Sequence, residues 1–180
     1  MGLSMLWEST DPRRALQERF RLDSFDDAVS WLSKGLAQAW AIDVEVCDRI
    51  LISDNNAIAW VRTDQGPLVA KWSRAQDQFA KFTAIAELLQ ALHKQGVPVA
   101  PPLTSVDDQL RVIVDSGSSP LSMTVQPQID GDLLDTTDET AVRQAGACLA
   151  NLHSALAIHK DSRLIEVGRA SCRERVYHPV

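Results

Sequence analysis

Apolar residues recur along the chain with two different periods, and the points where the period changes mark out its elements. Asp11-Pro12 supplies a cap and a first-turn proline for a helix over 12–20. Ser24 and Asp27 have capping-box spacing. Beyond them Phe25, Val29, Leu32, Leu36 and Trp40 recur at three and four residues, the stripe of a second helix. From residue 44 the pattern changes to strands: VEVCDRILIS (44–53), a polar turn Asp54-Asn55-Asn56, then 58–63 and 68–73 split by Asp64-Gln65-Gly66-Pro67, which predicts a hairpin. The helical period returns over 74–95, with Phe79, Phe82, Ala86, Leu89 and His93 on one face and Gly96 as C-cap. Val97–Pro102 is too proline-rich for a helix and predicts an extended connector. Two more strands, 110–115 and 122–129, flank a Ser/Gly/Pro turn. Thr136 with Glu139 then opens a last helix to about 158, striped by Ala141, Ala145, Leu149, Leu152 and Leu156. The expected class is α+β, a five-stranded antiparallel sheet with helix 74–95 packed on one face.

One position in this pattern carries chemistry. In the strand 68–73, Leu68, Ala70 and Trp72 share one face while Val69, Lys71 and Ser73 share the other. Lys71 therefore stands mid-strand among apolar neighbours, where a solvated lysine is not expected. It is either an edge lysine that blunts strand pairing or a functional cation.

Composition narrows the choices. Apolar content of 45% suffices for a core in 180 residues, and the formal charge of −6 is unevenly spread. Residues 1–162 hold 14 Lys and Arg against 22 Asp and Glu, a net −8, and 163–180 hold 4 against 2, a net +2. An acidic body excludes a nucleic-acid groove, which needs clustered cations. Cys47, Cys148 and Cys172 are odd in number and widely spaced, so neither a disulfide framework nor a zinc site is indicated. The N-terminus lacks the basic and apolar regions of a signal peptide, and no run is long enough for a membrane span. A soluble protein of a reducing compartment, the cytoplasm, is expected. After Asp161 the periodicity fails, and VGRASCRERVYHPV reads as a foreign or frameshifted ending, with a basic tail for a partner as the alternative.

Three antiparallel strands, a lysine in the third, a helix, two strands and a polar stretch follow the order of a kinase small lobe, and Val69-Ala70-Lys71 resembles the strand whose lysine pairs nucleotide phosphates with a helix glutamate. With KQGVPVAPPL after the helix, QPQIDGDLL as hinge and CLANLHSAL in the next helix, residues 44–157 resemble the aminoglycoside phosphotransferase family and its choline-kinase-like relatives. The resemblance implies leading helices in 1–43, a small lobe in 44–126, the hinge and first large-lobe helix in 127–162, and an unstructured, non-native tail in 163–180. It implies ATP as cofactor, with Mg²⁺ in full-length relatives, and a small-molecule hydroxyl acceptor. Glu87 becomes the candidate partner of Lys71, against a plain surface acid. Aligned on Asp130-Gly131, the adenine contacts fall on the carbonyl of Pro127 and the N–H of Ile129, with Gln126 at the back of the pocket and Val69 above the ring; a proline at 127 keeps the needed carbonyl.

The chain departs from the family in two places. Ser53-Asp54-Asn55-Asn56-Ala57 has none of the glycines of a phosphate loop, and Asp54 brings negative charge there, although Asn56 matches an asparagine common in the family. The H-x-D, the asparagine five residues on and the second aspartate of such enzymes are also missing. His159-Lys160-Asp161 is followed five residues later by Glu166, it comes straight off the helix after the hinge, and no aspartate occurs in 162–180. Two functions stay open: the nucleotide-binding part of a small-molecule kinase, inactive as these 180 residues, or a non-catalytic binding module or non-functional gene fragment. Exposure of the Leu149–Leu152–Leu156 stripe would favour self-association.

Overall fold

A computed structural model describes residues 2–117 and 119–164. In chain order the elements are β1 (Gly2–Met5), α1 (Pro12–Phe20), α2 (Phe25–Trp40), β2 (Val44–Ile52), β3 (Asn56–Thr63), β4 (Gly66–Ser73), a 3-10 turn (Gln76–Gln78), α3 (Phe79–Lys94), β5 (Val112–Asp115), β6 (Pro120–Pro127), α4 (Glu139–Ile158) and a second 3-10 turn (Ser162–Leu164). The strands form one sheet in the order β1-β2-β3-β4-β6-β5.

The sheet thus has six strands where five were expected. The extra one, β1, lies parallel to β2 with Gly2 opposite Arg49 and Met5 opposite Ile52. Four residues that include Gly2 and Ser4 are too short to show an alternation, and only pairing with the edge of β2 makes them a strand. The other pairings are antiparallel. The hairpin is tighter than its sequence indicates: Thr63 pairs with Gly66, leaving Asp64 and Gln65 as a two-residue turn. Gly66 follows with φ of +98°, which favours glycine.

Local chemistry explains the helix ends. The Asp11 carboxylate accepts from the Arg14 N–H at 2.9 Å ahead of Pro12, and the Ser24 hydroxyl accepts from the Asp27 N–H at 3.1 Å, as their spacing predicts. The last helix is capped differently from expectation. Asp138, not Thr136, accepts from Thr140 and Ala141, while Asp135 holds Thr137 in a turn before it. An aspartate nearer the first helical turn out-competes the Thr136–Glu139 pair because its carboxylate reaches two amides at once. The helix expected at 74–95 begins with the 3-10 turn and is α-helical only from Phe79.

The two faces of the sheet differ in kind. Leu68, Ala70 and Trp72 of β4, Ala57, Ala59 and Val61 of β3, and Leu121, Met123 and Val125 of β6 are all buried, and α1 and α2 cover them with Leu16, Phe20, Leu32, Leu36 and Trp40. Trp72 sits edge-on to Phe20 and Trp31, at 6.1 and 5.4 Å between ring centres. Gly35 brings α2 close to the sheet, where a Cβ would meet Val114 at 3.5 Å. The main core is therefore made by the two leading helices and not by helix 74–95, which meets the opposite, polar face through Phe82. In α4 no residue is buried, and Leu149 and Ile158 are 52% and 79% exposed. Residues 163 and 164, expected in an unstructured tail, belong to the second 3-10 turn; 165–180, with Cys172, lie outside the described residues. Among the described residues no helix is long and apolar enough to cross a membrane.

α2 ends on Ala41 with φ of +53°, a left-handed cap that costs an alanine roughly 1 kcal/mol. Ala41→Gly is expected to raise unfolding free energy by about 0.5–1 kcal/mol, measured by urea denaturation. A lowered midpoint would show that this cap is not strained.

Candidate functional site

The polar face of the sheet is built by the residues that the core rejects. Cross-strand register sets Val69 of β4 between Trp60 and Gln126, Lys71 between Ile58 and Thr124, and Ser73 between Asn56 and Ser122. Val69, Lys71 and Gln126 thus share one face, as strand alternation requires. Gln126 is buried and its amide donates to the Ala100 carbonyl at 2.8 Å, tying β6 to the connector after α3. Thr124 donates to the Leu110 carbonyl at 2.9 Å. Lys71 is exposed, and among the described residues it has no carboxylate within 4.0 Å. The protein packed about its stem still lowers the ammonium's pKa, mainly by desolvation and then through the positive charge of Arg111.

Arg111 is a member of this face that sequence reasoning missed. Its Nε donates to Ser122 Oγ at 2.6 Å and an Nη to the Ser122 carbonyl at 2.9 Å, and its guanidinium lies 4.9 Å from the Phe82 ring centre. Arg111 links β6 to α3 on the side of Lys71. It stands just before β5 with no motif around it, so only these long-range contacts mark it.

At the end of β6 the backbone alternates its partners. The Val125 carbonyl accepts from the Leu103 N–H at 2.8 Å on the side away from β4, and the Gln128 N–H donates to Pro67 at 3.1 Å on the β4 side. The Pro127 carbonyl follows Val125 in pointing away from β4, as strand alternation requires, and β5 reaches no farther along β6 than Met123 to meet it. Neither that carbonyl nor the N–H of Ile129 has a hydrogen-bond partner among the described residues. Ile129 is 67% exposed.

Glu87 is not brought to Lys71. It lies exposed on α3 and receives an Nη of Arg163 at 2.5 Å, while Arg163 also holds Asp161 at 2.6 Å. On a helix, five residues turn Glu87 well away from Phe82, the side chain that faces Arg111. In the 53–56 turn the Ser53 N–H donates to the Asn56 carbonyl, and the Asn55 carbonyl accepts from the Arg74 N–H and the Ser73 hydroxyl. That turn is thus occupied with its own closure.

The sequence profile of the phosphotransferase enzyme family (APH) matches residues 52–173, more than half of the chain. The chain belongs to this family. Among curated proteins nothing matches it significantly. Among solved structures it resembles an amicoumacin kinase in complex with AMP-PNP, Ca²⁺ and Ami, with a TM-score of 0.59 at 13% identity, covering 77% of this chain and 44% of that one. It also resembles a spectinomycin phosphotransferase in complex with ADP and spectinomycin, with a TM-score of 0.55 at 15% identity, covering 70% of this chain and 37% of that one. At such identity the likeness shows the fold, a kinase-like small lobe with the helix that follows it. The chain spans less than half the length of each of these structures.

In this phosphotransferase-family chain His159-Lys160-Asp161 forms a helix end. The His159 N–H donates to the Leu156 carbonyl at 3.2 Å, and the bonds from Arg163 hold the Asp161 pKa down at about 2, which makes it a poor base. Among the described residues no group of three His, Cys, Asp or Glu is placed to hold a metal ion. A surface depression lined by Ile113, Asp115, Gly117, Ser119 and Pro120 lies at the β5–β6 turn, and Val69, Lys71 and Gln126 do not line it.

Because the folded-state pKa of Asp161 lies below its usual 3.8, the contribution of its bond to Arg163 is complete above that value and lost as pH falls toward about 2. The difference in urea midpoint between the chain and its Arg163→Ala variant should hence be the same at pH 7 and pH 5. It should shrink only in stronger acid, and a difference that vanishes by pH 5 would contradict the ion pair.

Proposed function

We propose that this chain is the nucleotide-binding part of an ATP-dependent small-molecule kinase. The observation that carries the reading is Lys71, a cation fixed mid-strand with no internal counter-ion among the described residues. The face it shares with Val69 and Gln126 runs to the Pro127 carbonyl and Ile129 N–H, which have no hydrogen-bond partner among the described residues and are two groups of the kind that an adenine edge recognises. In this reading Pro127 and Ile129 hold the base, Val69 covers the ring, Gln126 closes the back of the pocket and Lys71 meets the phosphates. The structural relatives named above were solved with AMP-PNP and ADP, which supports ATP as the ligand. In this reading the acceptor is a small-molecule hydroxyl.

Glu87 holds Lys71 only after it leaves Arg163, so the pair belongs to a second, nucleotide-bound arrangement. Phosphoryl transfer needs a positioned base and metal-held phosphates, and positioning with charge stabilisation supplies nearly all of such catalysis. Among the described residues neither kind is placed: His159-Lys160-Asp161 is a helix end, and no group of three His, Cys, Asp or Glu could hold a metal ion; 162–180 contain no aspartate. The reading is therefore binding of nucleotide without transfer by these 180 residues, in a soluble, cytoplasmic setting. The same absence favours a second reading, a non-catalytic module or a non-functional fragment, which separates from the first if no nucleotide binds.

Two measurements test the proposal. Lys71→Ala should weaken ATP binding by roughly tenfold or more in calorimetry while unfolding free energy changes by about 0–1 kcal/mol. A collapsed melting temperature with unchanged affinity would make Lys71 structural. The exposed Leu149 and Leu156 edge of α4 should make the chain self-associate with rising concentration, and Leu149→Glu should reverse this in sedimentation velocity. A wild-type chain that stays monomeric at high concentration would remove that expectation.

A further inference from the structure

We propose that Arg111 is the second cation of the phosphate site, a fixed guanidinium that works beside the ammonium of Lys71. The proposal rests on the nucleotide reading above and names a residue which that reading does not include. Of the ten arginines among the described residues, those at 14, 19, 62, 143 and 163 find a carboxylate within 4.0 Å; of the five that do not, 13, 21, 49 and 74 are exposed and Arg111 is not. It is half-buried, and three neutral groups hold it: the hydroxyl and carbonyl of Ser122 and the ring of Phe82. Burying a guanidinium without an anion is unfavourable, and placing a lysine beside it adds repulsion. An anion between them relieves both terms at once.

The geometry suits that role. Ser122 engages Nε and one Nη, which fixes the plane of the guanidinium and leaves its other Nη without a partner among the described residues. A preformed fork is what phosphate oxygens need, since the ordering cost is met before the ligand arrives. Ser122 and Thr124 are neighbours on the Lys71 face of β6, so Arg111 is anchored two residues along β6 from Thr124, the residue opposite Lys71. Burial lowers the Arg111 pKa to about 10, which leaves it cationic at neutral pH, and no carboxylate contributes to the shift. The competing reading is a strut that joins β6 to α3. A strut would matter for folding and be indifferent to phosphate.

The test compares adenosine, ADP, ATP and inorganic tripolyphosphate, without metal, on the full 180-residue chain and on Arg111→Met, with Arg143→Met as control. The chain should bind ATP more tightly than adenosine. Arg111→Met should cut that preference by roughly tenfold with adenosine affinity unchanged, and Arg143→Met should not. Should Arg111→Met fail to fold, arginine modification by phenylglyoxal, mapped by mass spectrometry on the wild-type chain, decides the matter: ATP or tripolyphosphate should shield Arg111. Full ATP preference in Arg111→Met, or no shielding by either anion, overturns the proposal and leaves the adenine contacts standing. Tripolyphosphate that shields Arg111 in a chain that binds no adenosine upholds the anion site and removes the nucleotide reading.

Discussion

β4 can present a lysine at its centre only because its opposite face is locked into the core. Trp72, Ala70 and Leu68 are each at most 4% exposed, and Trp72 meets Phe20 and Trp31 across the interface with α1 and α2. A slip of one residue in β4 would bury Lys71 and expose Trp72, which is why the register is strongly specified. Burial of large side chains on one face thus fixes the placement of a charge on the other. The hairpin with β3 and the pairing with β6 carry that placement outward, to Trp60 and Ile58 on one side and to Gln126 and Thr124 on the other.

The polar face is stabilised quite differently from the core. Its side chains bond to backbone carbonyls of neighbouring segments: Gln126 to Ala100, Thr124 to Leu110, Arg111 to Ser122. Each bond ties β6 to the chain between α3 and β5, so the face is held by directional contacts instead of by close packing. Such contacts specify geometry more than they add stability, since each exchanges a bond to water for a bond to protein. A binding face needs that combination of fixed polar groups and remaining access.

Charge pairing shows where the arrangement is open to change. Glu87 is shared with Arg163 at the surface, in a contact that Asp161 completes. Exposed pairs of this kind contribute little and exchange partners easily. Lys71 and Arg111 have no such partner among the described residues, and the charge of Arg111 disfavours the Lys71 ammonium, a repulsion that the proposed anion would offset. Lys71 lies on β4, Arg111 is bonded to Ser122 of β6, and the Pro127 and Ile129 backbone groups, without a hydrogen-bond partner among the described residues, stand at the end of β6.

Much of this was legible in the residues themselves. Asp11 and Ser24 cap their helices as their spacing predicts, because a cap is a contact within three residues. The strand alternation that separates Lys71 from Trp72 is equally local, and so is the family resemblance, whose profile match spans 52–173. What the sequence could not determine involves contacts between distant positions. β1 exists only through the edge of β2, the two leading helices and not α3 form the main core, and Asp138 replaces Thr136 at the last cap through a small difference in reach. Arg111 and the Arg163–Glu87 pair, 76 residues apart, carry no periodic or motif signal. Local chemistry sets which elements form and which way their side chains alternate; only the tertiary structure decides which charges meet, because that depends on where the chain returns.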